Sequence, residues 1–401
     1  MKALLKVVAF WVVAMACATA ASVASLPEKI PQNWVLRAEL TGSDSPSLFG
    51  YQVATNGDTV VAVGSGLVYV FVRPAGGWTN MTQTAELTAS DGDLNSVAIS
   101  GDTIVAGSNG VNGASAAYVF VKPSGGWKNM TETAKLTASD AAAGDFFGFA
   151  VAIAGGTIVV GAPQNNAVGA AGGTGPGAVY VFVKPAGGWK SATETAKFTA
   201  SDGYPGDDLG WSVAILGDTV AAGAPDATVG GNQDAGAVYA FQRKSRIWNS
   251  GTESAKLTAS DASFATLLGT DVGMSGATIA ASGIQQVYIY SKPAGGWISK
   301  TQTAELQDSL VSFLVQSVAI SGRFALGGMP NEPDHGIIAM YIEPRGGWVN
   351  EGPSRRFRVP ADNGGGSFGW SVSIKGTTLV IGSPLVETYS GGNIVYVYGP
   401  A

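Results

Sequence analysis

From Asp145 to Pro163 the chain reads DFFGFAVAIAGGTIVVGAP: two short runs of small and branched apolar residues around a Gly-Gly pair. Short runs of this kind, bounded by Gly, Asp, Asn and Pro, predict β-strands, and no long amphipathic helical period follows the first thirty residues. Asp208 to Pro225 repeats the pattern as DLGWSVAILGDTVAAGAP. A recurring segment marks a structural unit. The copy around residue 150 predicts strands at Phe147–Ala154, Thr157–Gly161, Gly177–Val183 and Thr193–Ser201, with a hairpin turn at Gly155-Gly156. Matching turns stand at Gly57, Gly101, Gly217 and Gly376, where glycine supplies the positive φ that a two-residue hairpin needs.

Tryptophan sets the period. Trp34, Trp78, Trp127, Trp189, Trp248, Trp297 and Trp348 are separated by 44, 49, 62, 59, 49 and 51 residues, and five of them end a Gly-Gly-Trp. Seven copies of four strands predict an all-β fold, a seven-bladed β-propeller of four-stranded antiparallel blades. The apolar Phe147–Ala154 suits the crowded axis, and the TETAKLTASD wording, with its alternating charges, suits an outer edge. The chain opens on an outer-type strand, Trp34–Thr41, and closes on a third-type strand, Ile394–Tyr398. Each lacks a partner, so the N-terminal strand is expected to close the ring.

The segments FGYQVATNGDTVVAVGS, FGFAVAIAGGTIVVGAP, LGWSVAILGDTVAAGAP and FGWSVSIKGTTLVIGSP resemble FG-GAP repeats, the units of integrin α-chain propellers and of many secreted bacterial proteins. The secreted bacterial type is the nearer likeness. Copies two, five and six depart from the wording, as LNSVAISGDTIVAGS, LGTDVGMSGATIAAS and LVQSVAISGRFALGGMP. The resemblance implies the same seven-bladed ring, and ligand docking on one face of it.

At the N-terminus Lys2 and Lys6 precede VVAFWVVAMA and small residues, the layout of a secretory signal in residues 1–20; residues 21–33 then form a linker and 34–401 the propeller. The apolar run is too short to span a bilayer comfortably. Cys17, the only cysteine, lies inside the signal, which leaves lipid attachment there as a minor alternative to simple cleavage. The expected location is secreted, periplasmic or at the cell surface, without a transmembrane span and without disulfides. A formal net charge of −6 argues against a nucleic-acid partner.

The first hairpin turns read AGGT, LGDT, NGDT, SGDT, SGAT and KGTT, at most one carboxylate each, so the calcium loops of many relatives are missing and no cofactor or metal is expected. DGDLN at Asp91–Asn95 imitates such a loop but precedes the first strand. His335 is the only histidine, which excludes a multi-histidine metal site and leaves no catalytic constellation in view. Asp44, Asp91, Asp140, Asp202, Asp261, Asp308 and Asp362 each end an outer strand; capping of the crossover is the expected role, a carboxylate ring the alternative. Tyr51, Phe149, Trp211 and Trp370 follow a Phe-Gly or Leu-Gly and either pack between blades or offer flat faces to a ligand. The candidate ligand-binding residues are therefore Asp140, Asp202, Asp226, Asp234, Trp211 and Trp370, beside the long loops Gln164–Pro176 and Asp226–Ala235. The reading is a monomeric, non-catalytic binding or adhesion scaffold for a protein or glycan. A hydrolase or other enzyme built from those loops, and a purely structural envelope protein, are the alternatives. NMT at Asn80 and Asn129 signals glycosylation only in a eukaryotic secretory pathway.

Overall fold

The computed structural model describes residues 33–110, 115–163, 175–310, 314–332, 335–360, 366–385 and 393–401. The signal segment, Cys17, nearly all of the linker, most of Gln164–Pro176, and Asp362 lie outside them. No helix occurs among the described residues, and none is long and apolar enough to cross a membrane. Strands build seven small, mainly antiparallel sheets, one per copy, arranged as the blades of a ring. In blade three the strands are Ala150–Ala154 at the axis, Thr157–Ala162, Ala178–Val183 and the outer Ala196–Thr199. Gly155 turns the first hairpin at φ +56°.

Three details differ from the sequence reading. The inner strand begins at Ala150 because Phe146 and Gly148, at φ +54° and +93°, turn the chain just before it. The third strand begins at Ala178, after Gly177 at φ +84°. The Thr193–Ser201 segment is divided: Ala192–Thr193 runs parallel to Leu136–Thr137 of blade two, while Ala196–Thr199 stays in blade three. Five sheets therefore have five strands, the last one parallel and lent by the next copy.

Ring closure is as expected. Trp34–Thr41 pairs antiparallel with Ile394–Pro400, from Trp34↔Pro400 to Leu40↔Val395, and supplies the outer strand of blade seven. The core lies between blades rather than inside any one. Val159, Val181 and Phe198 of blade three pack with Val213, Val220 and Tyr239 of blade four, and each blade boundary repeats this. A four-stranded sheet has two apolar faces, and only a neighbour on each side buries both.

The topology also fixes two faces. Crossovers from outer to inner strand lie beside the loops between second and third strands, as Leu209 N–H donating to Pro176 O (3.1 Å) and Leu268 N–H to Ala235 O (3.2 Å) show. Links from third to outer strand lie beside the first hairpin turns, with Lys184 N–H donating to Gly156 O (2.7 Å) and Arg243 N–H to Asp218 O (2.8 Å).

Candidate functional site

The Phe-Gly and Gly-Ala-Pro of the repeat meet between blades. Phe147 is buried against Tyr180 and Phe182, with ring centroids 5.3 and 6.1 Å apart. Gly148 donates its N–H to Gly161 O of its own blade (3.1 Å). Its carbonyl turns to blade two and accepts from the Ser96 hydroxyl (3.0 Å). The same carbonyl lies so close to Gly107 that a Cβ there would fall far inside 3.0 Å. Gly210 against Gly161, Gly269 against Gly223, Gly369 against Gly328 and Gly50 against Gly382 repeat the approach. Ser212, Ser317 and Ser371 repeat the hydroxyl bond, at 2.7 to 2.9 Å. Both glycines are thus required by one contact: the first for its left-handed φ, the second for its missing side chain.

Outer-strand wording is spent on the same task. The Asn80 and Asn129 amide oxygens accept from Glu39 and Glu86 N–H of the preceding outer strand, both at 2.9 Å. Glu194 takes both the N–H and hydroxyl of Ser139, at 2.9 and 2.6 Å, and Glu253 does so for Ser201. The aspartates that end the outer strands reach into the next blade rather than mainly capping their own crossover. Asp140 accepts from the Tyr180 hydroxyl (2.9 Å) and Lys197 Nζ (2.5 Å), Asp202 from Tyr239 (2.9 Å) and Lys256 (2.6 Å). Asp91 does likewise with Tyr118 and Lys135. Each of these lysines also lies over its tyrosine ring, at 5.3 to 5.7 Å. Glu86 and Glu305 stand where the lysine would be in blades one and five, so Asp44 and Asp261 keep the tyrosine alone of this pair. In blade six, Arg356 forks onto the buried Asp308 at 2.6 and 2.7 Å, and Asp308 also caps Leu310 N–H.

Burial pushes the Asp202 carboxyl up, but hydrogen bonds from Lys256 and Tyr239 and the lysine charge outweigh it and hold it below its ordinary value of 3.8. Asp140 is lowered in the same way. A depressed carboxyl adds stability that is complete above its unfolded value and is lost as pH falls through the folded one. The doubly substituted Asp140→Asn/Asp202→Asn protein is therefore expected to be less stable than its parent at neutral pH. The difference should shrink steadily below about pH 3.8. Urea midpoints across pH 2–7 would show it; parallel curves would mean these carboxylates carry no linkage.

The structure separates the candidate ligand residues into groups. Asp140 and Asp202 sit in the latches just described. Trp211 pairs with Phe149 at 4.6 Å, and Trp370 with Tyr51 at 5.5 Å, each bridging neighbouring blades while remaining half-exposed. Asp226 and Asp234 lie half-buried in the loop of blade four, Asp234 at φ +53°. His335 accepts at its backbone oxygen from Phe368 N–H (2.9 Å), another tie between blades. Among the described residues no three His, Cys, Asp or Glu gather in a metal-like group, Asp91 and Asp93 included.

Sequence reasoning missed Asp271. It occupies the first-strand position held elsewhere by Ser212 or Ser371, and accepts Val318 N–H of blade six at 2.6 Å. Burial pushes its carboxyl up to about 7, against these backbone bonds. The visible signal was an acid in place of the serine, one copy before the copy written LVQS. Missed too were exposed apolar side chains on three successive crossovers: Tyr204 (74% exposed), Phe264 (65%) and Leu310 (56%).

Seven sheets stitched blade to blade around an axis define a seven-bladed β-propeller. Residues 130–182 and 192–241 match the FG-GAP repeat family. Among solved structures it is similar to the WD40 β-propeller domain of Doa1, at 12% identity and TM-score 0.56, covering 92% of this chain and 97% of that one. The computationally designed Ika8 protein is similar at 11% identity and TM-score 0.51, with 91% and 99% covered. At such identities the likeness concerns the fold alone. No curated protein matches the sequence.

Proposed function

We propose that the protein is an exported, non-catalytic binding scaffold, a monomer that takes a protein or glycan ligand on its crossover face at or outside the cell surface. The observation that supports this is a division of labour. Repeated residues on the inner and outer strands and in the links are spent on bonds between blades. The crossovers and second-to-third-strand loops differ from copy to copy and present Tyr204, Phe264 and Leu310 to solvent. Varied loops with exposed aromatic anchors on a rigid frame are where binding concentrates.

Asp202 is a poor probe of this face, because reversing its charge would break the latch to Tyr239 and Lys256. Tyr204 and Phe264 are better placed. With a ligand found on glycan and envelope-protein panels, Tyr204→Ser/Phe264→Ser should weaken binding about 10-fold or more at unchanged thermal stability, as loss of two interface aromatics does. Unchanged affinity, or turnover of a panel substrate, would overturn the reading.

A further inference from the structure

The two faces of the ring carry opposite charge, which the net value conceals. The seven crossovers (residues 42–50, 89–95, 138–149, 200–211, 259–271, 308–316 and 359–370) hold twelve aspartates and no lysine or arginine. The six links on the other face (73–80, 122–129, 184–191, 243–250, 292–299 and 343–350) hold ten lysines and arginines and one acid, Glu343. Three of these cations meet aspartates of the hairpin turns: Arg73–Asp58 at 3.1 Å, Lys122–Asp102 at 3.2 Å and Lys292–Asp218 at 3.8 Å. Among the described residues Lys128, Lys184, Lys190, Lys244, Arg246 and Arg345 have no carboxylate partner.

Apolar exposure adds a second, independent feature. Beside the buried Trp248, Trp297 and Trp348 stand Ile247 (64% exposed), Ile298 (56%) and Val349 (51%). They belong to three consecutive links, Ile247 just before its tryptophan and Ile298 and Val349 just after theirs, whereas the tryptophans of the first three links are preceded by glycine and followed by Thr79, Lys128 and Lys190. Among the described residues, blade seven takes its outer strand from Trp34–Thr41, with no link running to it from Ile394–Pro400. Beside it, where blade seven meets the first link, is a recess of about 360 Å³ whose lining includes Arg37, Arg73, Trp78 and Tyr398.

We propose that the link face of blades four to six docks on an anionic lipid bilayer. Lys244, Arg246 and Arg345 would meet headgroup phosphates, and Ile247, Ile298 and Val349 would enter the boundary with the acyl chains. Cations attract to an anionic leaflet, and aliphatic side chains gain by leaving water there. A soluble polyanion would use the cations and gain nothing from the aliphatics. A protein partner would favour a continuous apolar patch over single side chains spread across three blades. The crossover face, rich in aspartate, would then point away from the membrane. This docking is independent of the ligand proposed for that face.

The test is sedimentation of the purified protein with phosphatidylcholine vesicles, with and without phosphatidylglycerol. Binding is expected only with phosphatidylglycerol, and should weaken as salt rises. Lys244→Glu/Arg246→Glu/Arg345→Glu should lose it on the order of 100-fold, at about fivefold or more per cation. Ile247→Ser/Ile298→Ser/Val349→Ser should also weaken vesicle binding, about 10-fold or more, yet leave retention on polyphosphate beads unchanged. Tyr204→Ser/Phe264→Ser should leave vesicle binding unchanged. No binding to phosphatidylglycerol vesicles, or binding indifferent to the three cations, overturns the proposal. Vesicle binding unchanged by the three serines also overturns it, pointing to a polyanion in solution.

Discussion

Gly161→Ala is expected to cost about 3 kcal/mol, the upper part of the range for an overpacked core. The added methyl would collide with the Gly210 carbonyl, a backbone atom that no rotamer change can move aside. That carbonyl is held in place. Gly210 donates to Gly223 O at 3.0 Å and sits at φ +95°, so yielding means shifting the start of blade four away from blade three. Gly187→Ala is the matched control. Nothing lies within 4 Å of its added Cβ and its φ is not left-handed, so its effect should stay within about 0.5 kcal/mol. Urea unfolding of the two variants beside the parent decides the matter. Equal midpoints for Gly161→Ala and Gly187→Ala would mean the close approach is relaxed in solution.

The same contact shows what could be read from the sequence and what could not. A period near fifty residues, marked by tryptophan, was enough for blade number, hairpin turns and closure, because these depend on local pattern and on counting. The faces followed from the alternation of a four-stranded meander. Side-chain partnerships across blades did not follow. Ser139 meets Glu194, and Asp202 meets Lys256, across more than fifty residues, and a repeat places equivalent positions without saying which pair touches. Asp202 accordingly read as a turn cap, since Asp after a strand usually is one. Tyr239 is fully buried, and only the structure shows its hydroxyl on Asp202. The parallel two-residue strands were invisible for another reason: Ala192–Thr193 is too short for any period. Of the candidate site, what was legible is that the crossovers and second-to-third-strand loops vary from copy to copy. Single anchors such as Phe264 were not, because an apolar residue in a loop carries no sign of whether it faces water.

Deleting residues 33–44 is expected to abolish cooperative unfolding of the ring. The segment gives blade seven its outer strand, bonded to Ile394–Pro400 in a register that runs from Trp34 to Leu40. Trp34 is 2% exposed and meets Phe324 edge-on at 5.7 Å, while Ala38 and Leu40 are buried with Val395 and Val397. The Trp34 carbonyl also accepts from Arg355 Nη2 at 2.6 Å, so the strand ties blade six to blade seven as well. Truncating a buried Trp and a buried Leu alone costs about 5–10 kcal/mol together, comparable with the whole stability of a typical domain. The bared strand Ile394–Pro400 would become an unpaired edge rich in valine and tyrosine, open to pairing with other chains. The shortened protein should therefore self-associate and expose apolar surface to a hydrophobic dye. A peptide spanning Asn33–Asp44 added in trans should reverse both effects, because the site it fills already has its other wall. A shortened protein that stays monomeric and keeps the parent's urea midpoint would show that the six crossovers left to it hold the ring, and that the non-covalent pairing of the N-terminal strand inside blade seven carries little of the load.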